Sequence, residues 1–158
     1  MVSVETIDFG QFGQMKAANI SGVVGEGLTN DRSDVLLIQT LFKIIGGESE
    51  VFSRALIGME PAELPELNGN CDRQTLKAIW GFQRRRRHRL LNVDGKVHPG
   101  KFQNRVIKEG PEGRQMMITL LNMNAAQIGG HTDLVSVVRR ISPSIVFTNV
   151  VQVTGLKP

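Results

Sequence analysis

Apolar positions along the chain first recur at helical spacing after residue 31. Val35, Ile38, Leu41, Phe42 and Ile45 fall on one stripe of DVLLIQTLFKII, the signature of an amphipathic helix. Asp31 or Ser33 suits its N-cap, and Gly46-Gly47 suits its end. Before it, residues 1–30 are Gly-rich and weakly patterned, with VSVETIDF and NISGVVG as expected short strands. After it, VFSRALIG offers one or two helical turns, Pro61 and Pro65 break the pattern, and LNGN reads as a tight turn. Asp72 caps a second predicted helix over residues 72–89. Thr75, Ile79, Phe82 and Arg86 share one stripe of it, with Leu76 and Gln83 beside them.

Asp94-Gly95 forms the next turn, and Pro99 opens a third helix. MMITLLNMN, 116–124, is a further short apolar helix or the continuation of that one. Gly129-Gly130 marks a boundary. Beyond it, TDLVSVVRRI reads as a helix capped by Thr132 or Asp133, and β-branched SIVFTNVVQV, 145–153, as a strand. A lone strand must pair with an N-terminal segment or another chain, or remain a tail. There is also an internal echo. LNGNCDRQT and NVDGKVHPGK each place a glycine turn a few residues before a helix start, on either side of the arginine run.

Charge changes this picture more than composition does. Residues 1–70 hold ten acidic and four basic residues, whereas 71–158 hold fifteen basic and five acidic. The excess peaks in WGFQRRRRHRLLNVDG, 80–95. Such asymmetry suits an anionic partner for the second half, or internal pairing of the two halves. Four consecutive arginines cannot share a helix face. Arg73, Lys77, Gly81, Arg84 and His88 do fall on one basic stripe. Basic side chains near a helix C-terminus also suit its dipole, which accounts for part of the run. Arg86 falls on the core stripe and has to snorkel at the helix end. There is no tyrosine, and aromatics are 5% of the chain, so glycan binding is expected to lean on polar contacts.

Four pieces of the chain, in order, resemble the peptidoglycan-binding-domain-like family. Leu37-Ile38-Gln39-Thr40-Leu41 is similar to its first-helix "LQ-x-L". Asn68-Gly69-Asn70-Cys71-Asp72-Arg73-Gln74-Thr75 resembles its first "DG-x-x-G-x-x-T" turn. Ala78-Ile79-Trp80-Gly81-Phe82-Gln83-Arg84 resembles its "A-V-x-x-FQ-x" helix end. Val93-Asp94-Gly95-Lys96-Val97-His98-Pro99-Gly100 resembles its second "VDG-x-v-g-P" turn. The second turn is also similar to modules associated with type VI secretion-like systems. The resemblance spans residues 31–122. It implies a mainly α fold with a three-helix core over 31–124, an extended N-terminal segment over 1–30 and a C-terminal helix/strand extension over 125–158. Asn68 stands where the family has Asp, Cys71 lies near its usual second glycine, and Lys101-Phe102-Gln103 replaces the usual "x-T-W". In this frame Gln83 bonds backbone across the turn, and Asp94 closes an Asx-type turn.

The resemblance implies a non-catalytic module that binds cell-wall peptidoglycan, an anionic glycopeptide. Its expected ligand-binding residues are Asn68, Asn70, Arg73, Lys77, Arg84, Asp94, Lys96 and His98. The alternative is an adaptor or structural component of a secretion system that keeps the fold without glycan binding. Such a protein would engage an acidic partner, or a second copy through 145–153. Nucleic acid ranks below both, because no helix-turn-helix, zinc-finger or RNP-like motif accompanies the arginines.

No enzyme, metal or cofactor is expected. His88, His98 and His131 have no ligand spacing. Cys71 and His88 lie at opposite ends of one predicted helix, and no motif selects a carboxylate pair. The N-terminal stretch lacks the basic and apolar regions of a Sec leader, and no apolar run approaches ~20 residues. The expectation is therefore a protein cytoplasmic as synthesised, with delivery to the periplasm left to a signal-less route.

Overall fold

The helix that follows Asp31 is buried on nearly every side and sits in the main core. In the computed structural model, which describes residues 1–8, 13–47, 64–100, 113–129 and 133–148, α1 spans Arg32–Gly47. Asp31 caps it through Asp34 N–H at 3.0 Å. Between Ser33 and Gly46 only Lys43 is exposed. A helix apolar on nearly all sides must be covered on all sides. α1 is covered by α2 (Arg73–Arg85), α3 (Met117–Gly129) and α4 (Leu134–Ile141), and a hairpin of β1 (Ser3–Asp8) and β2 (Gln14–Asn19) packs through β2 on α3 and α4. Phe82 of α2 meets Phe42 of α1 edge to face, with ring centroids 6.1 Å apart.

The expectation of a mainly α, three-helix fold is corrected here. The described residues form four helices and a two-stranded antiparallel sheet, a mixed α/β arrangement. β1 and β2 pair from Ser3↔Asn19 to Asp8↔Gln14. QMKAAN carries no β-branched residue, so it lacks the propensity of a strand. Tertiary contacts hold it instead. Ala17 and Ala18 are fully buried, and their small side chains let β2 approach the helices closely. The Asn122 amide of α3 then bonds both sides of the Ala18 backbone, accepting from its N–H at 3.0 Å and donating to its carbonyl at 2.9 Å. Val2, Ile7, Ala17, Ala18, Ile20 and Val24 all belong to the main core.

The expected strand at 145–153 is described as far as Thr148, and there it pairs within the chain. Val2 N–H donates to Val146 O at 2.9 Å, and Thr148 N–H donates to Val2 O at 2.8 Å. Asp133 caps α4, with its carboxylate accepting from Ser136 N–H at 3.1 Å. The helical turns expected in VFSRALIG and the body of the helix expected after Pro99 lie outside the described residues.

The predicted helix 72–89 ends four residues early. α2 stops at Arg85, and a 3₁₀ turn covers Arg87–Arg89. The cause lies downstream. Leu90 is buried, and the chain beside it pairs with Gln115 through Leu91 N–H at 3.0 Å and through Arg89 O at 2.8 Å. A continued helix would carry that backbone away from its partner. Arg86, at the break, remains partly covered. Burial, and then the nearby Arg89 charge, push its guanidinium below the ordinary arginine value.

Candidate functional site

Two turns of the same design flank α2. In the first, Asn68 Oδ1 accepts from Asn70 N–H at 2.9 Å, and Gly69 takes φ +73°. In the second, Asp94 Oδ1 accepts from Lys96 N–H at 3.0 Å, and Gly95 takes φ +76°. Left-handed backbone of this kind suits glycine. Each turn also ties its first residue to one four positions on. Asn68 Nδ2 donates to Asp72 at 3.1 Å, and Asp94 pairs with His98 Nε2 at 2.8 Å.

Each turn is held from the core by a fully buried glutamine. Gln39 Oε1 accepts from Gly69 N–H (2.9 Å) and Asn68 N–H (3.1 Å), while its Nε2 donates to Asn70 O and Thr75 Oγ1, both at 2.9 Å. Gln83 Oε1 accepts from Gly95 N–H at 2.7 Å, and its Nε2 donates to Lys96 O at 2.9 Å. A buried amide needs such partners, and here the partners are the turns themselves.

The first turn continues into the cap of α2, where Asp72 accepts from Thr75 N–H at 3.0 Å and from Thr75 Oγ1 at 2.7 Å. Burial pushes the Asp72 carboxyl up. The hydrogen bonds from Thr75 and Asn68 outweigh it and hold the group below the usual carboxylate value. A depressed folded value stabilises the protein above the unfolded value, and that stability is lost as pH falls through the folded one. Asp72→Asn keeps a capping oxygen but cannot titrate. The gap between wild-type and Asp72→Asn urea midpoints should therefore be widest near pH ~7 and close as the pH is lowered through and below the ordinary aspartate value of ~3.9. A constant gap across that range would refute the assignment.

Along the outer face of α2 runs an open groove of about 690 Å³, lined by Arg73, Leu76, Lys77, Trp80 and Arg84, with Glu26 facing them. The helix residues follow i, i+3, i+4, i+7, i+11 spacing, one stripe opposite the buried Thr75, Ala78, Ile79, Phe82 and Gln83. Trp80 is 41% exposed. Its indole lies against Gly95, where an added Cβ would stand 2.6 Å from Cε2 and Cζ2. The second turn is thus the backing of the aromatic shelf. Arg73, Lys77 and Arg84 make no side-chain hydrogen bond or ion pair among the described residues.

Comparison with family models, curated proteins and solved structures finds no match to this chain.

Of the eight expected ligand residues, the groove gathers three: Arg73, Lys77 and Arg84. Asn68 and Asp94 spend their side-chain oxygens on their own turns. His98 pairs with Asp94, Asn70 offers its carbonyl to Gln39, and Lys96 packs against buried Gly25. Burial pushes the Asp94 carboxyl up, but the bonds from His98 and Lys96 and the His98 charge hold it below the usual range. His88 leaves the basic stripe because α2 has already ended.

Leu76, Trp80 and Glu26 were missed. Trp80 was visible in principle, seven residues from Arg73 and four from Arg84 on one helical stripe. Glu26 had no signal, because it arrives from a loop far upstream. Among the described residues, no group of His, Cys, Asp or Glu is placed to hold a metal ion, and no helix is long and apolar enough to cross a membrane. Burial, then Asp72 and Glu26, push the Cys71 thiol up, which disfavours the thiolate.

Proposed function

We propose that the chain is a non-catalytic binding module for an anionic glycopeptide of the bacterial cell wall, with the ligand lying along α2. The observation that carries this reading is an aromatic shelf set among three cations that have no side-chain partner among the described residues, all in one groove. An indole face offers a sugar ring a flat apolar seat. Arginine forks match carboxylates bidentately, which suits the acidic groups of a peptide stem. The Gly-turn resemblance at 68–75 and 93–100 points the same way.

The test is co-sedimentation with insoluble sacculi at low salt. Wild-type protein should pellet. Trp80→Ala and the triple change Arg73→Ser/Lys77→Ser/Arg84→Ser should each weaken retention at least about tenfold, since one bond to a charged group contributes about 1.5–3 kcal/mol. Wild-type protein left in the supernatant would end the proposal.

An adaptor role draws on a different surface. Leu91 and Val93, 56% and 42% exposed, follow the arginine run directly. Capture of an acidic protein that survives Trp80→Ala but not Leu91→Ser/Val93→Ser would favour it.

A further inference from the structure

We infer that Glu26 makes this groove select ligands that carry a free ammonium group beside their carboxylates, and so discriminates against pure polyanions. The inference rests on the groove being the ligand site proposed above.

A carboxylate beside three cations is expected to pair with one of them. Glu26 does not: it forms no ion pair or hydrogen bond among the described residues, although it shares a groove with Arg73, Lys77 and Arg84. Its backbone is held in place. Val24 and Val97 exchange two backbone hydrogen bonds, at 2.9 and 2.8 Å. Buried Gly25 packs so closely on Lys96 that an added Cβ would stand 2.8 Å from Lys96 Cγ. Asn30, at φ +55°, closes the loop from within, accepting from Gly25 N–H and donating to the Gly25 and Leu28 carbonyls, each at 2.9 Å. The wall that presents Glu26 is therefore built before any ligand arrives.

The groove thus offers three positive donors and one negative acceptor at separate places. A ligand with carboxylates alone satisfies the cations and meets repulsion at Glu26. A ligand that also bears an ammonium group satisfies all four. A peptide stem with an unblocked amine has that chemistry, whereas nucleic acid and polyphosphate do not. Like charges facing one another in a site are a recognised route to rejecting the wrong partner.

The experiment exploits Trp80, the single tryptophan of the chain. Soluble muropeptides from a lysozyme digest, native or with their amines acetylated, are titrated into wild-type and Glu26→Gln protein while Trp80 fluorescence is followed. Acetylation should weaken binding to wild type about tenfold, the size of one charge-assisted contact. Glu26→Gln should bind both preparations alike. The comparison is a coupling cycle between one side chain and one ligand group. Equal binding of both preparations by wild type, or undiminished discrimination by Glu26→Gln, overturns the role of Glu26. Absence of binding by wild type to either preparation overturns the site itself, a separate and recognisable result.

Discussion

Gln39→Ala should lower the stability of the protein by about 3–5 kcal/mol, the largest effect expected of any single truncation described above. Gln39 is fully buried; its Oε1 accepts from two backbone N–H groups, and its two Nε2 protons are shared among three acceptors at 2.9–3.0 Å. Alanine leaves the N–H groups of Asn68 and Gly69 facing a small void. Each unpaired buried donor costs about 1–3 kcal/mol, and the void adds a packing loss. A domain of this size is stable by only about 5–15 kcal/mol in all, so the urea midpoint should fall steeply. Gln39→Met keeps most of the volume but none of the bonds, and it should recover only the packing share. A loss below ~1 kcal/mol for Gln39→Ala would show that the first turn stands without its glutamine.

Gly95→Ala should damage both stability and the groove. The new methyl must adopt a left-handed backbone, at about 1–2 kcal/mol. It must also enter the space of the Trp80 indole, 2.6 Å away, and overpacking of that kind adds about 1–3 kcal/mol. The indole is at the surface, so it can swing out. Displacement should shift Trp80 emission to the red and increase its quenching by acrylamide. Retention on sacculi should fall with it. Gly13→Ala is the matched control, because Gly13 has φ +95° but nothing within 4 Å of an added Cβ. That variant should show the backbone strain alone, with Trp80 emission unchanged. Equal emission from both variants would remove Gly95 from the site.

Much of the groove face is legible because helices report their faces through spacing. The stripe from Arg73 to Arg84 and the buried stripe from Thr75 to Gln83 both follow from a 3.6-residue period. The two glycine turns were legible for a related reason. Asn68-Gly69 and Asp94-Gly95 combine a side chain that bonds two residues ahead with a residue free to take positive φ. What the echo did not show was its support. Gln39 lies 30 residues before Gly69, whereas Gln83 lies only 12 before Gly95, so no fixed repeat length links them.

β2 was the clearest failure, and its reason is physical. QMKAAN is a strand because β1 pairs with it and because Asn122, more than a hundred residues away, bonds Ala18. No local preference records that contact. The early end of α2 has a similar origin, since basic residues suit a helix end but the position of that end is set by Leu90 and Gln115.

The sequence by itself determined the cationic stripe, the two turns and the helices that carry them, because each depends on residues within a few positions of one another. Only the tertiary structure decided the rest: that the N-terminal segment joins the core, that Gly95 backs Trp80, and that Glu26 faces the arginines. Those juxtapositions depend on how distant segments bury apolar surface together, and burial at long range leaves no local periodicity to read.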